Sequence, residues 1–129
     1  MMQNLGSQLL LLAAGGSIGT ILRFFVYQTA DKYLNKHLPW GTLLVNLFGS
    51  LAIGLLWGYL DRSSVSPAIR LFIFVGLLGS FTTFSAFAYD SFYLLNQQAF
   101  KLFFINLLLN NILGILLCGG GYYLIKNLI

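Results

Sequence analysis

Acidic side chains are scarce in this sequence, which has three Asp and Glu residues against seven Lys and Arg. Charged residues of all kinds make up only 8% of its 129 positions, and hydrophobic residues make up 58%. So little polar surface cannot cover a water-soluble globule of this size, and we therefore expect an integral membrane protein. The basic residues are scattered and form no stripe that could follow phosphates, so nucleic acid is excluded as a partner.

Cysteine and histidine are nearly absent, with one residue of each, Cys118 and His37. A single cysteine can form neither a disulfide within the chain nor a multi-cysteine metal site, and we expect Cys118 to serve packing. His37 lies in a polar connector, without an accompanying nucleophile, paired carboxylates or ligand cluster. We therefore expect that the protein is not an enzyme and that His37 is solvated.

Long hydrophobic runs dominate the chain instead. Four apolar blocks, at residues 5–27, 40–60, 68–95 and 100–125, each come near the roughly 20 residues that cross a hydrocarbon core about 30 Å thick. The first block lacks the charged start and the small-residue cleavage site of a secretory signal, so we interpret it as a mature helix. The pattern predicts an all-α membrane protein in which residues 1–129 form a single domain of four transmembrane helices.

The basic residues near the span ends, which usually set membrane orientation, are evenly divided between the two sides. The side with both termini holds Arg62, Arg70 and Lys126. The other side holds Lys32, Lys36 and Lys101. Arg23 also counts on this side if it lies near the end of the first span. Without a bias, the chain can insert both ways and two copies can pair antiparallel, a symmetry that many transporters build into one chain. The alternative is one orientation fixed by features outside this count.

Polar side chains inside the first two blocks are costly unless they are paired or hydrated. Arg23 either attracts anions or has a structural role, or it snorkels to the membrane surface. Thr42 and Asn46 are about one helical turn apart in the second block, so they can face the same seam. The amide of Asn46 must bond across a helix interface or contact water.

The third block is interrupted by small and polar residues over 76–87, GLLGSFTTFSAF. Gly76 and Gly79 lower helix propensity and a polar run follows at once, so we expect the third helix to be broken near its middle, between Gly79 and Thr83. A backbone that loosens at bilayer depth must be buried in protein or line a cavity, which indicates a permeation path. Its freed carbonyls can hold a cation, and the amides that start the second half can face an anion.

Two aromatic rings follow the expected break. Phe84 and Phe87 are three residues apart and share a helix face. Such rings usually fill a core, but their positive edges can also meet a small anion in a dry pore. Asp90 continues this face, and we expect it near the membrane surface.

Three segments of the chain, GGSIGTILRF, PWGTLLVNLFGS and GLLGSFTTFSAF, resemble the bacterial fluoride channels of the Fluc or CrcB family. The segments cover the first three blocks, and the length and four-span plan agree throughout. The resemblance implies a fluoride-selective channel in the lipid bilayer of the bacterial inner membrane, which exports fluoride passively and confers fluoride resistance. It also implies an antiparallel, dual-topology homodimer with two pores and a structural Na⁺ at its centre.

The resemblance assigns roles to individual residues by motif. The main-chain carbonyls of Gly79 and Thr82 match those that hold the sodium ion. The fluoride pathway is matched by residues in all four blocks: Arg23, Thr42, Asn46, Thr83, Phe84, Ser85, Phe87 and Asn110. The fourth block departs most, because it has Asn106, Asn110 and Asn111 where the family often has small hydroxyl residues. Asp90 replaces the glutamate of some relatives.

Two other classes of membrane protein share some of these features. A small dual-topology multidrug or cation exporter is also a four-span dimer, but it needs an ionisable carboxylate in mid-membrane. All three acidic residues fall near predicted span ends: Asp31, Asp61 and Asp90. An assembly subunit without transport would explain the small residues, but it leaves the polar interruption of the third block without a purpose.

Overall fold

The computed structural model describes residues 4–61 and 64–128 of the chain. Within these two ranges, the chain forms four helical segments that are long and apolar enough to cross a membrane. The first two are α1, Leu5–Tyr33, and α2, Trp40–Leu60. The third, Pro67–Asn96, consists of α3 over 67–81 and α4, Phe84–Asn96, and the fourth is α5, Phe100–Leu128. Two stretches are wound as π-helix: Leu71–Leu78 in α3 and Leu109–Leu113 in α5.

The four predicted blocks are confirmed as helices, and α2 matches both of its predicted bounds. The prediction for the end of the first helix was wrong, because α1 continues past Tyr27 to Tyr33 and includes Asp31 and Lys32. Hydropathy locates the edge of the hydrocarbon layer, whereas a helix can extend into the headgroup region. Lys32 in the last turn also suits the negative end of the helix dipole.

The corner between α2 and α3 is fixed by side-chain hydrogen bonds. Ser66 caps α3 by accepting a bond from the amide of Ile69 at 3.4 Å, and Pro67 occupies the first turn. Arg70 donates from Nη2 to the carbonyl oxygen of Leu60 at 2.8 Å, which closes the end of α2. Arg62, which was counted among the orientation charges, lies outside the described residues.

The central helix of the bundle is α2, which contributes more buried residues than any other described helix. In the described part of the chain, the largest fully buried side chains are those of Leu43, Val45 and Asn106. Large apolar side chains cover the outside of the bundle, mainly on α1, α4 and α5. An apolar exterior is what a bilayer or another apolar surface requires.

Two glycines allow neighbouring helices to pack backbone against backbone. A Cβ on Gly15 of α1 would lie 2.8 Å from the carbonyl oxygen of Phe72 in α3. A Cβ on Gly54 of α2 would fall on the carbonyl group of Cys118 in α5. Cys118 therefore takes part in the α2–α5 contact through its main chain, in agreement with its expected packing role.

We expect Gly54→Ala to destabilise the protein, because the new methyl group meets main-chain atoms that cannot turn away as a side chain can. Overpacking of this kind costs about 1–3 kcal/mol. The matched control is Gly120→Ala in α5, where a Cβ would meet nothing within 4 Å. Thermal unfolding in detergent should show a lower midpoint for Gly54→Ala than for Gly120→Ala, and equal midpoints would contradict the close α2–α5 contact.

Candidate ion pathway

The third membrane segment is interrupted at Thr82 and Thr83, inside the predicted interval. Thr82 has φ −82° and ψ 160°, and Thr83 has φ −153° and ψ 117°, so both are extended. Phe84 then starts α4, and Thr83 caps this helix because its Oγ1 accepts a bond from the amide of Ala86 at 3.2 Å. The predicted break is therefore confirmed as two extended residues between α3 and α4.

The side chain of Asn46 pairs with the main chain of this break. The amide of Thr83 donates to Asn46 Oδ1 at 2.9 Å, and Asn46 Nδ2 donates to the carbonyl oxygen of Thr83 at 3.2 Å. One side-chain amide thus satisfies both polar groups of a residue that belongs to no helix. Of the two roles that the sequence left open for Asn46, the structure shows bonding across a helix interface.

The carbonyls of Gly79 and Thr82, which are expected to hold sodium, lose their helical hydrogen bonds at the break. In an unbroken helix the amide of Thr83 would bond Gly79, and the amide of Ala86 would bond Thr82. Here these amides donate to Asn46 Oδ1 and to Thr83 Oγ1 instead. Main-chain carbonyl oxygens are suitable ligands for an alkali cation, so the donor type fits Na⁺. Two such oxygens do not complete a coordination shell, and further oxygens are needed from a second copy or from water.

A row of asparagines continues from Asn46 into α5. Asn46 Nδ2 donates to Asn110 Oδ1 at 2.9 Å. Asn110 Nδ2 donates to Asn106 at 2.9 Å from its Oδ1 and 3.0 Å from its main-chain oxygen. Asn106 is 0% exposed, and its Nδ2 donates to Ser91 Oγ in α4 at 3.0 Å. We call these four residues, Asn46, Asn110, Asn106 and Ser91, the amide row.

Asn110 was predicted as a pathway residue, whereas Asn106 and Ser91 were not. The spacing of Asn106 and Asn110, four residues apart on one helix face, is the signal that could have found Asn106. The neighbouring Asn111 lies on another face, where it is exposed and donates only to the carbonyl oxygen of Leu107 at 2.8 Å.

A second polar group lies one turn earlier on α2. Thr42 is 2% exposed and donates from Oγ1 to Asp90 Oδ2 at 2.5 Å, while the hydroxyl of Tyr27 lies 2.7 Å from the same Oγ1. Because the only proton of the Thr42 hydroxyl goes to Asp90, Tyr27 is the donor in its bond. Asp90 was expected near the membrane surface, and it is half-buried against α2. Spacing along α4 could not reveal this contact, which depends on how α4 is rotated towards α2.

A cavity of about 380 Å³ opens beside this group. Its inner end includes Tyr27, Thr42 and Asp90, and its mouth is formed by the connector between α1 and α2, including Lys36 and His37. His37 is exposed there, as predicted. The cavity leads from one end of the bundle to the first polar residue of α2.

The two phenylalanine rings lie side by side but in different surroundings. Their centroids are 5.5 Å apart, which confirms that Phe84 and Phe87 share a face. Phe87 is 7% exposed and belongs to the core, whereas Phe84 is 76% exposed and points away from the bundle. Ser85 is also exposed, with its Oγ 3.3 Å from Thr83 Oγ1.

Arg23 lies on α1 one helical turn before Tyr27, and its side chain is half-buried. Arg23 therefore shares α1 with Tyr27 but does not belong to the lining of the cavity.

Four helical segments that are long and apolar enough to cross a membrane, with the third one broken and its main chain paired by the side chain of Asn46, are typical of a membrane protein of the transport type. The chain belongs to the CrcB family, because the family model described as "CrcB-like protein, Camphor Resistance (CrcB)" matches residues 10–122. The matched range contains every candidate pathway residue, from Arg23 to Asn110. The family expected from the sequence is thus confirmed.

Relatives with the printed name "Fluoride-specific ion channel FluC" match most of the chain. The protein from Campylobacter jejuni is 39% identical over 118 residues, 92% of this chain and 97% of the relative. The protein from Parabacteroides distasonis is 40% identical over 119 residues, 92% of this chain and 93% of the relative. The protein from Pseudoalteromonas translucida is 46% identical over 110 residues, 84% of this chain and 88% of the relative. All three relatives are named as channels and not as enzymes.

Proposed function

We propose that this chain forms a fluoride-selective channel that lets F⁻ leave a bacterial cell passively across the inner membrane and so confers resistance to fluoride. The broken third segment paired by Asn46, with Phe84 and Phe87 beside it, carries the proposal, together with relatives named as fluoride-specific channels. Fluoride is small and strongly hydrated, so a selective pore must replace its water with other donors. Amides, hydroxyls and ring edges do this without a fixed positive charge that would trap the ion.

The proposed route follows the polar residues of α2 from the cavity to the break. Fluoride enters from the cavity, whose lining includes Lys36, and first meets Thr42 at its inner end, while Arg23 lies on α1 one helical turn before Tyr27. One turn further it reaches Asn46. The remaining contacts are supplied around the break and in α5: Thr83, Ser85, Phe84, Phe87 and Asn110.

Two copies of the chain form the channel as an antiparallel homodimer in this proposal. Gly79 and Phe84 are exposed on the outside of one copy. They lie at the break, where the carbonyls of Gly79 and Thr82 have lost their helical amides. Lipid cannot satisfy such groups, so another protein surface must cover them. The even division of basic residues supports opposite insertion of the two copies. Two pathways then follow from the two-fold symmetry.

Gly79 and Thr82 of both copies would hold a structural Na⁺ between the two breaks. Their carbonyls are the groups whose helical amides are diverted, which supports this assignment. When bound, the ion supplies a positive charge that compensates the carbonyl dipoles and favours anions nearby. The chain's own residues keep the carbonyls available, because Asn46 and the Thr83 hydroxyl bind the competing amides.

We expect purified protein in liposomes to release fluoride down its gradient while chloride is retained. Ion-selective electrodes for the two halides measure this directly, and protein-free liposomes are the control. Repeating the fluoride measurement with and without a proton gradient separates the channel from the small exporter. Release that strictly requires the proton gradient, or equal release of chloride, would contradict the proposal.

A further inference from the structure

We infer that Asn106 is a positioning residue of the pathway, which acts through Asn110 to fix the orientation of the Asn46 amide. This inference rests on the proposed function for its meaning in transport. Its geometric basis, the amide row, is independent of that function.

The direction of the amide row is set at the helix break. The main-chain amide of Thr83 can only donate, so the atom of Asn46 that faces it at 2.9 Å must be Oδ1. Asn46 Nδ2 therefore faces Asn110, and the atom of Asn110 that receives it must be Oδ1. Asn110 Nδ2 is then directed to Asn106, which accepts through its Oδ1 and through its main-chain oxygen, and only the Oδ1 bond is lost on substitution.

The far end of the amide row is compatible with this direction, because the hydroxyl of Ser91 can accept a hydrogen bond. Asn106 Oδ1 is occupied as an acceptor, so its Nδ2 is the atom that reaches Ser91 Oγ at 3.0 Å. Turning any one amide by half a rotation would place two NH₂ groups or two oxygens against each other. Asn106 thereby holds the carbonyl oxygen of Asn110 towards Asn46.

This arrangement affects how Asn46 can bind fluoride, because both protons of Asn46 Nδ2 are already donated to other acceptors. One goes to the carbonyl oxygen of Thr83 and the other to Asn110 Oδ1. An anion that binds the amide of Asn46 must replace one of these acceptors. Since the Thr83 bond is part of the helix break, the exchangeable acceptor is Asn110 Oδ1. Asn106 keeps Asn110 in place during this exchange, so that the donor is recovered in the same orientation.

The simpler interpretation is that Asn106 only joins α5 to α4 through Ser91. A buried amide at 0% exposure does need its partners, and their loss would lower stability in either case. The two interpretations differ at Asn46. If Asn106 only joins α4 to α5, its substitution leaves the orientation of the Asn46 amide unchanged. If Asn106 is a positioning residue, its substitution changes that orientation.

The test uses Asn106→Leu, Ser91→Ala and, as matched control, Asn111→Leu on an exposed face of the same helix. Fluoride efflux is measured from liposomes. The side-chain amide signals are measured by solid-state NMR on ¹⁵N-asparagine-labelled protein, with the Asn46 signal assigned from its absence in Asn46→Leu. We expect about a tenfold slower efflux for Asn106→Leu, the effect of losing one oriented hydrogen bond, and a smaller loss for Ser91→Ala. The Asn46 signal should shift or broaden in both variants and stay in place in the control.

An unchanged Asn46 signal in both variants would overturn the inference, whatever happens to flux. A shifted signal with normal flux would overturn the positioning role as well. If Asn106→Leu does not fold, the same two measurements on Ser91→Ala test the inference. This variant removes only the hydroxyl that accepts the hydrogen bond of Asn106 Nδ2. If the unmodified protein passes no fluoride, the proposed function fails, and the NMR comparison still reports whether the amide row orients Asn46.

Discussion

Asn46→Leu is expected to abolish fluoride conduction and to lower the stability of the protein. Leucine has a similar size but cannot bond the main chain of Thr83, whose amide and carbonyl groups both depend on Asn46. Each buried polar group left unpaired costs about 1–3 kcal/mol, so a total of at least about 2 kcal/mol is expected. Fluoride efflux from liposomes and thermal unfolding in detergent measure the two effects.

The control for this substitution is again Asn111→Leu, which removes an exposed asparagine at membrane depth without touching the break. It should conduct and unfold like the unmodified protein. Normal efflux from Asn46→Leu would mean that the break persists without this amide, and would remove Asn46 from the pathway.

Phe84→Ile and Phe87→Ile are each expected to stop fluoride flux while the protein still folds. Isoleucine keeps an apolar side chain in place but has no positively polarised ring edge for an anion. Phe87→Ile should also lower the unfolding temperature slightly, because Phe87 is 7% exposed, whereas Phe84 at 76% exposed contributes little to the core of one copy. Electrode measurements of efflux give the flux, and size-exclusion chromatography reports the assembly.

Phe92→Ile provides the comparison for both variants, since Phe92 is an exposed ring on the same helix, α4. Flux through this variant should equal that of the unmodified protein. Were Phe84→Ile and Phe87→Ile both to conduct normally, the rings would have only a packing role, which is the other interpretation that their spacing allows.

The sequence predicted those features that depend on local composition. The break between Gly79 and Thr83 followed from two glycines and a polar run inside an apolar block, and the structure places it at Thr82 and Thr83. The bounds of α2 followed from hydropathy alone, because Trp40 and Leu60 are the first and last residues of an apolar block that contains no charged residue. These signals are carried by neighbouring residues, so no tertiary contact has to be known.

The contacts that position the candidate site could not be predicted in the same way. Spacing places Asn106 and Asn110 on one face of a helix, but it does not tell which helix that face meets, and Ser91 in α4 carries no signal of its own. The bond between Thr42 and Asp90 likewise depends on the relative rotation and depth of two helices. Such pairings join residues far apart in sequence, so neither local composition nor spacing within one helix reveals them.

The pairing of Asn46 with Thr83 has a consequence for biogenesis. The amide that stabilises the interruption lies 37 residues upstream of it, so it leaves the ribosome before the third hydrophobic segment is complete. In isolation that nascent segment would bring two polar main-chain groups into hydrocarbon without partners, which favours closure into one continuous helix. The order of synthesis avoids this state, because the second span is already available at the translocon when the third one arrives.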